Sequence, residues 1–474
     1  ALGRNCQAED FTCVGIGDMS GDVFGNGMLL SKTLKIVAAF DHRHIFLDPN
    51  PDPATSWKER QRLFNLPRSS WLDYDAKLIS KGGGVFARTD KIIKTTTEIR
   101  NLLGIDAKEI EPSALMTAIL KAPVQLMWFG GIGTYIKDRS ESHLDVGDPG
   151  NDFIRVNGAD VQAQVIGEGA NLGVTQAGRI GFALRGGRIN TDFIDNSAGV
   201  DCSDNEVNIK IALNAQMRAG KLKEAARNVL LAEMTDAVAH LVLEDNRLQT
   251  LALSIAETGG AGDLPAYVRL IEIFEGAGRL DRVVEGLAPN EELFRRASEG
   301  RGLTRPELAI LLSTAKLAAQ DGVEEAPLAQ DRSMDGELLA AFPDAMVKSH
   351  KSAILGHRLR KEIIATKLAN RMINRLGMLH PFELAEEEGC SLGDVAAAFA
   401  IAESIYDLPS LWHTIDTITM PESTRLMLFN QTALEVRAQM ADIIRNAHEG
   451  RDVAAATAVY APVVKKLTAA LDGL

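Results

Sequence analysis

The chain has 474 residues, 46% of them apolar, and a formal net charge of −13. That length predicts roughly three folding units at about 150 residues each, and the acidic balance argues against nucleic acid or an anionic membrane surface as the main partner. There is no apolar run of about 18 residues and no signal peptide, and Cys6, Cys13, Cys202 and Cys390 have no CxxC spacing. The expectation is therefore a soluble, cytoplasmic chain with reduced thiols, no disulfide framework and no zinc knuckle. The abrupt start at Ala1, about ten residues before the first strand, suggests a piece of something longer or a processed chain.

Residues 11–41 read as a short buried strand, a glycine-rich turn, a helix, a second strand and a terminal acid. That order of parts suits a dinucleotide. Gly15 permits a tight turn out of the strand, and Gly17, lacking a Cβ, lets a pyrophosphate approach the backbone and the helix N-terminus. Asp41 lies 24 residues after Gly17, where a carboxylate can accept from ribose hydroxyls. Ser20, followed by Gly21, replaces the third glycine of the usual pattern, and Asp18 and Asp22 put negative charge where phosphate would sit. They can instead cap the helix, and the whole stretch also fits a glycine-rich turn in an ordinary α/β unit.

Further along, 45–47 predicts a strand, and 56–64 and 97–103 predict helices. His42 and His44 have too few companions for a metal and read as surface histidines beside a strand end. The three glycines of SKGGGVFARTDK mark a mobile loop over a ligand site. Strands at 124–128 and 161–166 run into Gly130-Gly131 and GEGANLG, and a helix is expected at 175–184. In an open parallel sheet these turns share the carboxyl edge, where ligands bind.

Composition changes near Asn205. Helices are expected at 206–219, 222–244, 246–257 and 264–276, then from the Thr304/Glu307 capping box to about 320. Residues 321–343 read as a loop or linker. The longest helical pattern is 348–376, with Leu355, Leu359, Ile363, Leu368, Met372 and Leu376 on one stripe. His350 and His357 read as solvated, and the basic residues from Arg358 to Lys367 as an exposed face. Ser391 with Asp394 starts another helix, and the last two cover about 421–447 and 452–472.

VGIGDMSGDVFGNGML, KIVAAFDHRHIFLDPNPD, WFGGIGTYIK, VIGEGANLGVTQAGRI and INTDFIDNSAGVDCSDNEVNIK closely resemble the NAD-specific glutamate dehydrogenases of the large bacterial type. The resemblance covers roughly 8–215 at motif level, and the helical remainder looks like that family's C-terminal region. It implies an α/β Rossmann-like domain with a mainly parallel sheet over 1–205, followed by an all-α helical domain over 206–474, with a division allowed near 321–345. It also implies that the N-terminal part of the same chain is missing, with regulatory domains and the substrate half of the catalytic domain.

The cofactor implied is NAD. Gly15, Gly17, Met19 and Ser20 would line the pyrophosphate turn and Asp41 would take the adenosine ribose. Gly130 and Gly131 would pass under the cofactor, Asn171 would contact the nicotinamide ribose and Asn196 the nicotinamide amide. NSAGVDCS resembles the N-x-x-G-V-x-x-S pattern in which the serine, here Ser203, helps hold the substrate's distal carboxylate. The implied reaction is reversible oxidative deamination of L-glutamate to 2-oxoglutarate and ammonium by a homo-oligomer. The family's catalytic lysines and aspartate lie upstream, so no catalytic residue is assigned here. Lys81, in KGGG, resembles a family lysine motif only superficially and reads as a solvated charge. Two other readings remain: a nucleotide-binding regulatory or interaction module without catalysis, and a scaffold with no ligand site.

Overall fold

In the computed structural model, which describes residues 2–17, 26–131, 133–446 and 452–471, the run FTCVGI forms strand β1, Phe11–Ile16. Its residues alternate between two cores, as a strand's period of two requires. Val14 and Ile16 join Val37, Phe40, Leu115, Ile119 and Phe129 on one side. Phe11 and Cys13 join Leu34, Ile36, Phe46, Trp71 and Tyr74 on the other, where Phe46 stacks on Trp71 at 4.1 Å. A strand covered on both faces is apolar throughout, which is why this segment shows no polar alternation.

Five more strands complete the sheet: β2 Leu34–Phe40, β3 His44–Leu47, β4 Gly84–Ala87, β5 Leu126–Phe129 and β6 Val165–Glu168. Their spatial order is β6-β5-β1-β2-β3-β4. The first four run parallel. β3 folds back antiparallel on β2, and β4 is antiparallel to β3. The sheet is therefore mixed: the parallel part expected is present in four strands, and the antiparallel β3 and β4 depart from it. The cause is the three-residue turn 41–43, too short for the helical crossover that a parallel neighbour needs. The loop expected around the glycine run supplies β4, so Gly84 belongs to the sheet edge.

The flanking helices carry visible start and stop signals. Pro53–Asn65 begins with Asp52 accepting from the Thr55 N–H, with a proline in its first turn, and Thr97–Leu103 ends on the left-handed Gly104. Strand β6 starts four residues later than the expected 161, because Gly158–Asp160 forms a 3₁₀ turn that carries Val161 into the core.

The chain divides into two compact units, residues 1–197 with 304–306 and residues 198–303 with 307–474. Among the described residues, the regular structure of the second is all helical. Leu392–Ile405 is nearly all buried, and a capping box fixes its start: the Asp394 N–H donates to Ser391 Oγ at 3.1 Å and the Ser391 N–H to Asp394 Oδ2 at 3.0 Å. The expected linker 321–343 is largely ordered: the preceding helix runs Arg305–Glu325, and Asp335–Ala340 is helical. The expected long helix 348–376 is two helices, Asp344–Leu355 and Arg360–Leu376. His357 lies between them. It is buried, its Nδ1 accepts from the Leu359 N–H at 3.1 Å, and its Nε2 lies 3.0 Å from the Asn208 carbonyl. It is not the solvated residue expected, and burial lowers its pKa. Among the described residues no helix is long and apolar enough to cross a membrane.

Candidate functional site

Register is what assembles the site. Ile16 pairs with Phe40 on one side and Phe129 on the other, and Phe129 pairs with Glu168. The four parallel strands thus end level, and the turns after them form one row: Gly17 after β1, Asp41 after β2, Gly130 after β5 and 169–174 after β6. The chain leaves β1 toward β2 on one side, whereas β5 lies on the other. The cleft between β1 and β5 is a switch point of strand order, where open α/β sheets bind ligands.

Backbone hydrogen bonds join the row. The Gly17 N–H donates to the Phe40 carbonyl at 3.0 Å, the Gly130 N–H to the Ile16 carbonyl at 2.8 Å, and the Ala170 N–H to the Phe129 carbonyl at 2.8 Å. Gly17 has φ +135°, and a Cβ there would stand 2.6 Å from the Gly131 nitrogen and 2.7 Å from the Gly130 carbonyl carbon. A Cβ on Gly131 would stand 2.7 Å from Gly17 Cα. The two glycines are required by each other, whatever else approaches them. Gly15 lies inside β1, opposite Ala39 and Trp128, rather than in the turn. Met19 and Ser20, with Asp18 and Asp22, lie outside the described residues.

Asp41 is 5% exposed. Its Oδ1 accepts from the Arg43 N–H at 2.7 Å and the His44 N–H at 2.6 Å, so one carboxylate oxygen closes the β2–β3 turn. A carboxylate has about four acceptor positions, which leaves Oδ2 with capacity for a hydroxyl donor. His44 is buried in β3, not a surface histidine.

Asn171 and Asn196, distant in sequence, meet: Asn196 Nδ2 donates to Asn171 Oδ1 at 3.0 Å. Beneath them lies a buried polar network that the sequence reading missed. Arg179, on the helix Gln176–Leu184, donates from Nε to Glu168 Oε2 at 2.7 Å and from Nη2 to Glu168 Oε1 at 2.9 Å, and Nη2 lies 3.2 Å from Asp192 Oδ1. Glu168 is fully buried. Burial raises its carboxyl pKa and the Arg179 guanidinium opposes that rise. Burial lowers the guanidinium pKa, but its bonds to Glu168 and Asp192 outweigh that and raise it. The signal in the sequence was an acid ending an apolar strand and an arginine inside QAGRIGFAL; neither named its partner.

Ser203 lies in the second unit on the helix Ser197–Arg218, exposed, its hydroxyl 3.3 Å from the Gly199 carbonyl. Lys81 is 92% exposed and pairs with Glu98 at 3.0 Å. Among the described residues no group of three or more His, Cys, Asp or Glu could hold a metal ion. The second unit contains a cavity of about 250 Å³ lined by Asp201, Asp204, Asp245, Glu362 and Lys367 among others. Lys367 Nζ lies 2.7 Å from Asp245 Oδ2, so the basic stripe expected to be solvated is partly committed to an internal ion pair.

The family model "Bacterial NAD-glutamate dehydrogenase, catalytic domain" matches residues 1–256, and "Glutamate dehydrogenase, C-terminal" matches residues 300–474. The chain belongs to the bacterial NAD-glutamate dehydrogenase family. It is similar to the NAD-specific glutamate dehydrogenase of Pseudomonas aeruginosa, 45% identical over 474 residues, all of this chain and 29% of that protein. It is similar to the Mycobacterium tuberculosis protein of the same name, 48% identical over 426 residues, 89% of this chain and 26% of that protein. The Halomonas elongata protein is 45% identical over 417 residues. The chain thus spans less than a third of the length of these members of the family.

Proposed function

We propose that this chain is the cofactor-binding and C-terminal part of an NAD-dependent glutamate dehydrogenase, which interconverts L-glutamate with 2-oxoglutarate and ammonium. The observation that carries the proposal is the level row of turns after four parallel strands, in a chain of this family. The first unit serves as a Rossmann-like cofactor domain and the helical remainder as the C-terminal domain. The protein works in the cytoplasm as a homo-oligomer, with its substrate lysines and proton-shuttling carboxylate in a preceding part of the same chain.

The residues present fit a dinucleotide. Gly17, Gly130 and Gly131 present backbone rather than side chains at the β1–β5 cleft, so among the described residues a pyrophosphate can lie against backbone. Gly15 keeps the strand leading into that cleft slim. Asp41 Oδ2 accepts from the adenosine ribose and repels the 2′-phosphate of NADP. Asn171 and Asn196 hold the nicotinamide riboside and amide. NAD bound there supplies the hydride acceptor for the substrate α-carbon. Ser203 donates its hydroxyl proton in a hydrogen bond to the substrate's distal carboxylate. The chain itself contributes binding, orientation and exclusion of water; the proton transfers belong to the preceding part.

Titration calorimetry of the chain with NAD and with NADP tests this reading. NAD is expected to bind and NADP to bind at least about tenfold more weakly, since about 1.4 kcal/mol separates each factor of ten. Asp41→Ser is expected to weaken NAD more than it lowers stability. Equal affinity for both dinucleotides in the unsubstituted chain removes the role given to Asp41.

A further inference from the structure

We infer that the buried Glu168, Arg179 and Asp192 network is the positioning element for the nicotinamide half of the cofactor site, and that it acts without touching the adenosine half. The inference rests on the proposed reading that Asn171 and Asn196 face the nicotinamide riboside.

The turn 169–174 does not support itself. Leu172 has φ 62°, a left-handed conformation that costs an L-residue about 1–2 kcal/mol, so the surroundings must hold it. Carboxylates do so from two sides. The Leu172 N–H donates to Asp192 Oδ2 at 2.9 Å and the Val174 N–H to Glu168 Oε1 at 3.1 Å. Arg179 bridges these two acids, so the ties are not independent.

The second asparagine is tied to the same elements through the backbone of Asp192 and the carboxylate of Asp195. Asp192 opens the short helix Asp192–Asp195, and its carbonyl accepts from the Asn196 N–H at 2.7 Å. Asp195, the residue before Asn196, accepts at Oδ2 from the Glu168 N–H at 3.0 Å and at Oδ1 from Asn190 Nδ2 at 2.6 Å. Asn171 thus stands one residue before a tied position and Asn196 one residue after another. Their 3.0 Å contact is the product of the network beneath them.

The adenosine half is held differently. Gly17 is tied to Phe40, and Asp41 to Arg43 and His44, with no bond to Glu168, Arg179 or Asp192 among the described residues. An apolar core would join strand and helix here at lower desolvation cost. What the polar network adds is fixed directions for the N–H groups that set the turn.

The test uses the 474-residue chain itself, with NAD as probe of the whole site and ADP as probe of the adenosine half. Asp192→Ala cuts the Leu172 tie, along with the Asp192 contacts to Arg179 and the Phe193 N–H, and leaves the Glu168–Arg179 pair in place. It is expected to weaken NAD about tenfold, the factor that one lost hydrogen bond carries, while ADP affinity stays within about twofold. Arg179→Met is expected to show the same split with a larger loss for NAD. If that variant does not fold, because Glu168 is left buried and unpaired, Asp192→Ala carries the test. Equal losses for NAD and ADP would mean a general structural role and overturn the inference. So would unchanged NAD affinity in either folded variant. If the unsubstituted chain binds neither compound, the proposed function fails and the inference with it; if it binds both and the variants do not separate them, the inference alone fails.

Discussion

Gly17 owes its identity to the neighbouring strand. A side chain there would meet the backbone of Gly130 and Gly131, and its φ of +135° is unfavourable to any L-residue. Gly17→Ala is therefore expected to cost about 2 kcal/mol or more of stability through both strain and overpacking. Urea denaturation measures this, and a loss under about 0.5 kcal/mol would mean that the strands part easily. Lys316 offers a residue-scale pH prediction. Burial is the main cause that pushes its amine from an ordinary 10.5 down to about 8, against the pull of Asp245 and Asp201. The native state then holds fewer protons than the unfolded chain between those values, so stability rises as pH rises through about 8 to 10.5. Lys316→Met should remove that rise, on the order of 3 kcal/mol at most, when the two proteins are compared at pH 7.5 and 10.5. An identical pH dependence in both would contradict it. Cys13, buried with its thiol pushed up to about 12, should resist iodoacetamide until the chain unfolds, whereas exposed Cys202 should react in the native state. Mass spectrometry of the alkylated protein distinguishes the two.

Strands β1, β2, β3, β5 and β6 were legible because each apolar run stops near a glycine or aspartate, a local signal; β4 was not, because its glycine run reads as a loop. Helices with caps were legible for the same reason, as at Ser391–Asp394, whereas the start at Asp52–Pro53 was not, since that helix was expected only from 56. The fold of the 41–43 turn was not: a short polar turn is also compatible with a parallel crossover further on, and only pairing in space makes β3 antiparallel. The 348–376 pattern misled because its apolar stripe survives the break. Gly356 and the ring of His357 take over the backbone between the two helices, and nothing in a hydrophobic period records that. His357→Ala is expected to cost about 1–2 kcal/mol, since the Asn208 carbonyl loses its buried partner. A denaturation midpoint identical to that of the unsubstituted chain would mean that the break is fixed elsewhere. The asparagine pair of the site was legible singly, but not the Glu168–Arg179–Asp192 support, since charges spaced along the chain do not announce which of them will be buried together.

At the scale of the molecule, two cores of different character lie in one chain: a mixed sheet with its carboxyl-end turns, and a helical unit bearing Ser203. Each has a separate task in the proposed enzyme, so their substitutions should separate kinetically. In the longer protein, Ser203→Ala should raise the KM for glutamate about tenfold or more with the affinity for NAD unchanged; an unchanged KM removes Ser203 from the substrate site. The central claim is that a dinucleotide lies along the row of turns where the four parallel strands end. Hydrogen exchange of this chain with and without saturating NAD tests it most directly. The account predicts slowed exchange at the amides of Gly17, Gly130, Gly131 and residues 169–174, with the helical unit beyond residue 224 unaffected. NAD that leaves exchange at those four positions unchanged, or that protects only the helical unit, would contradict it.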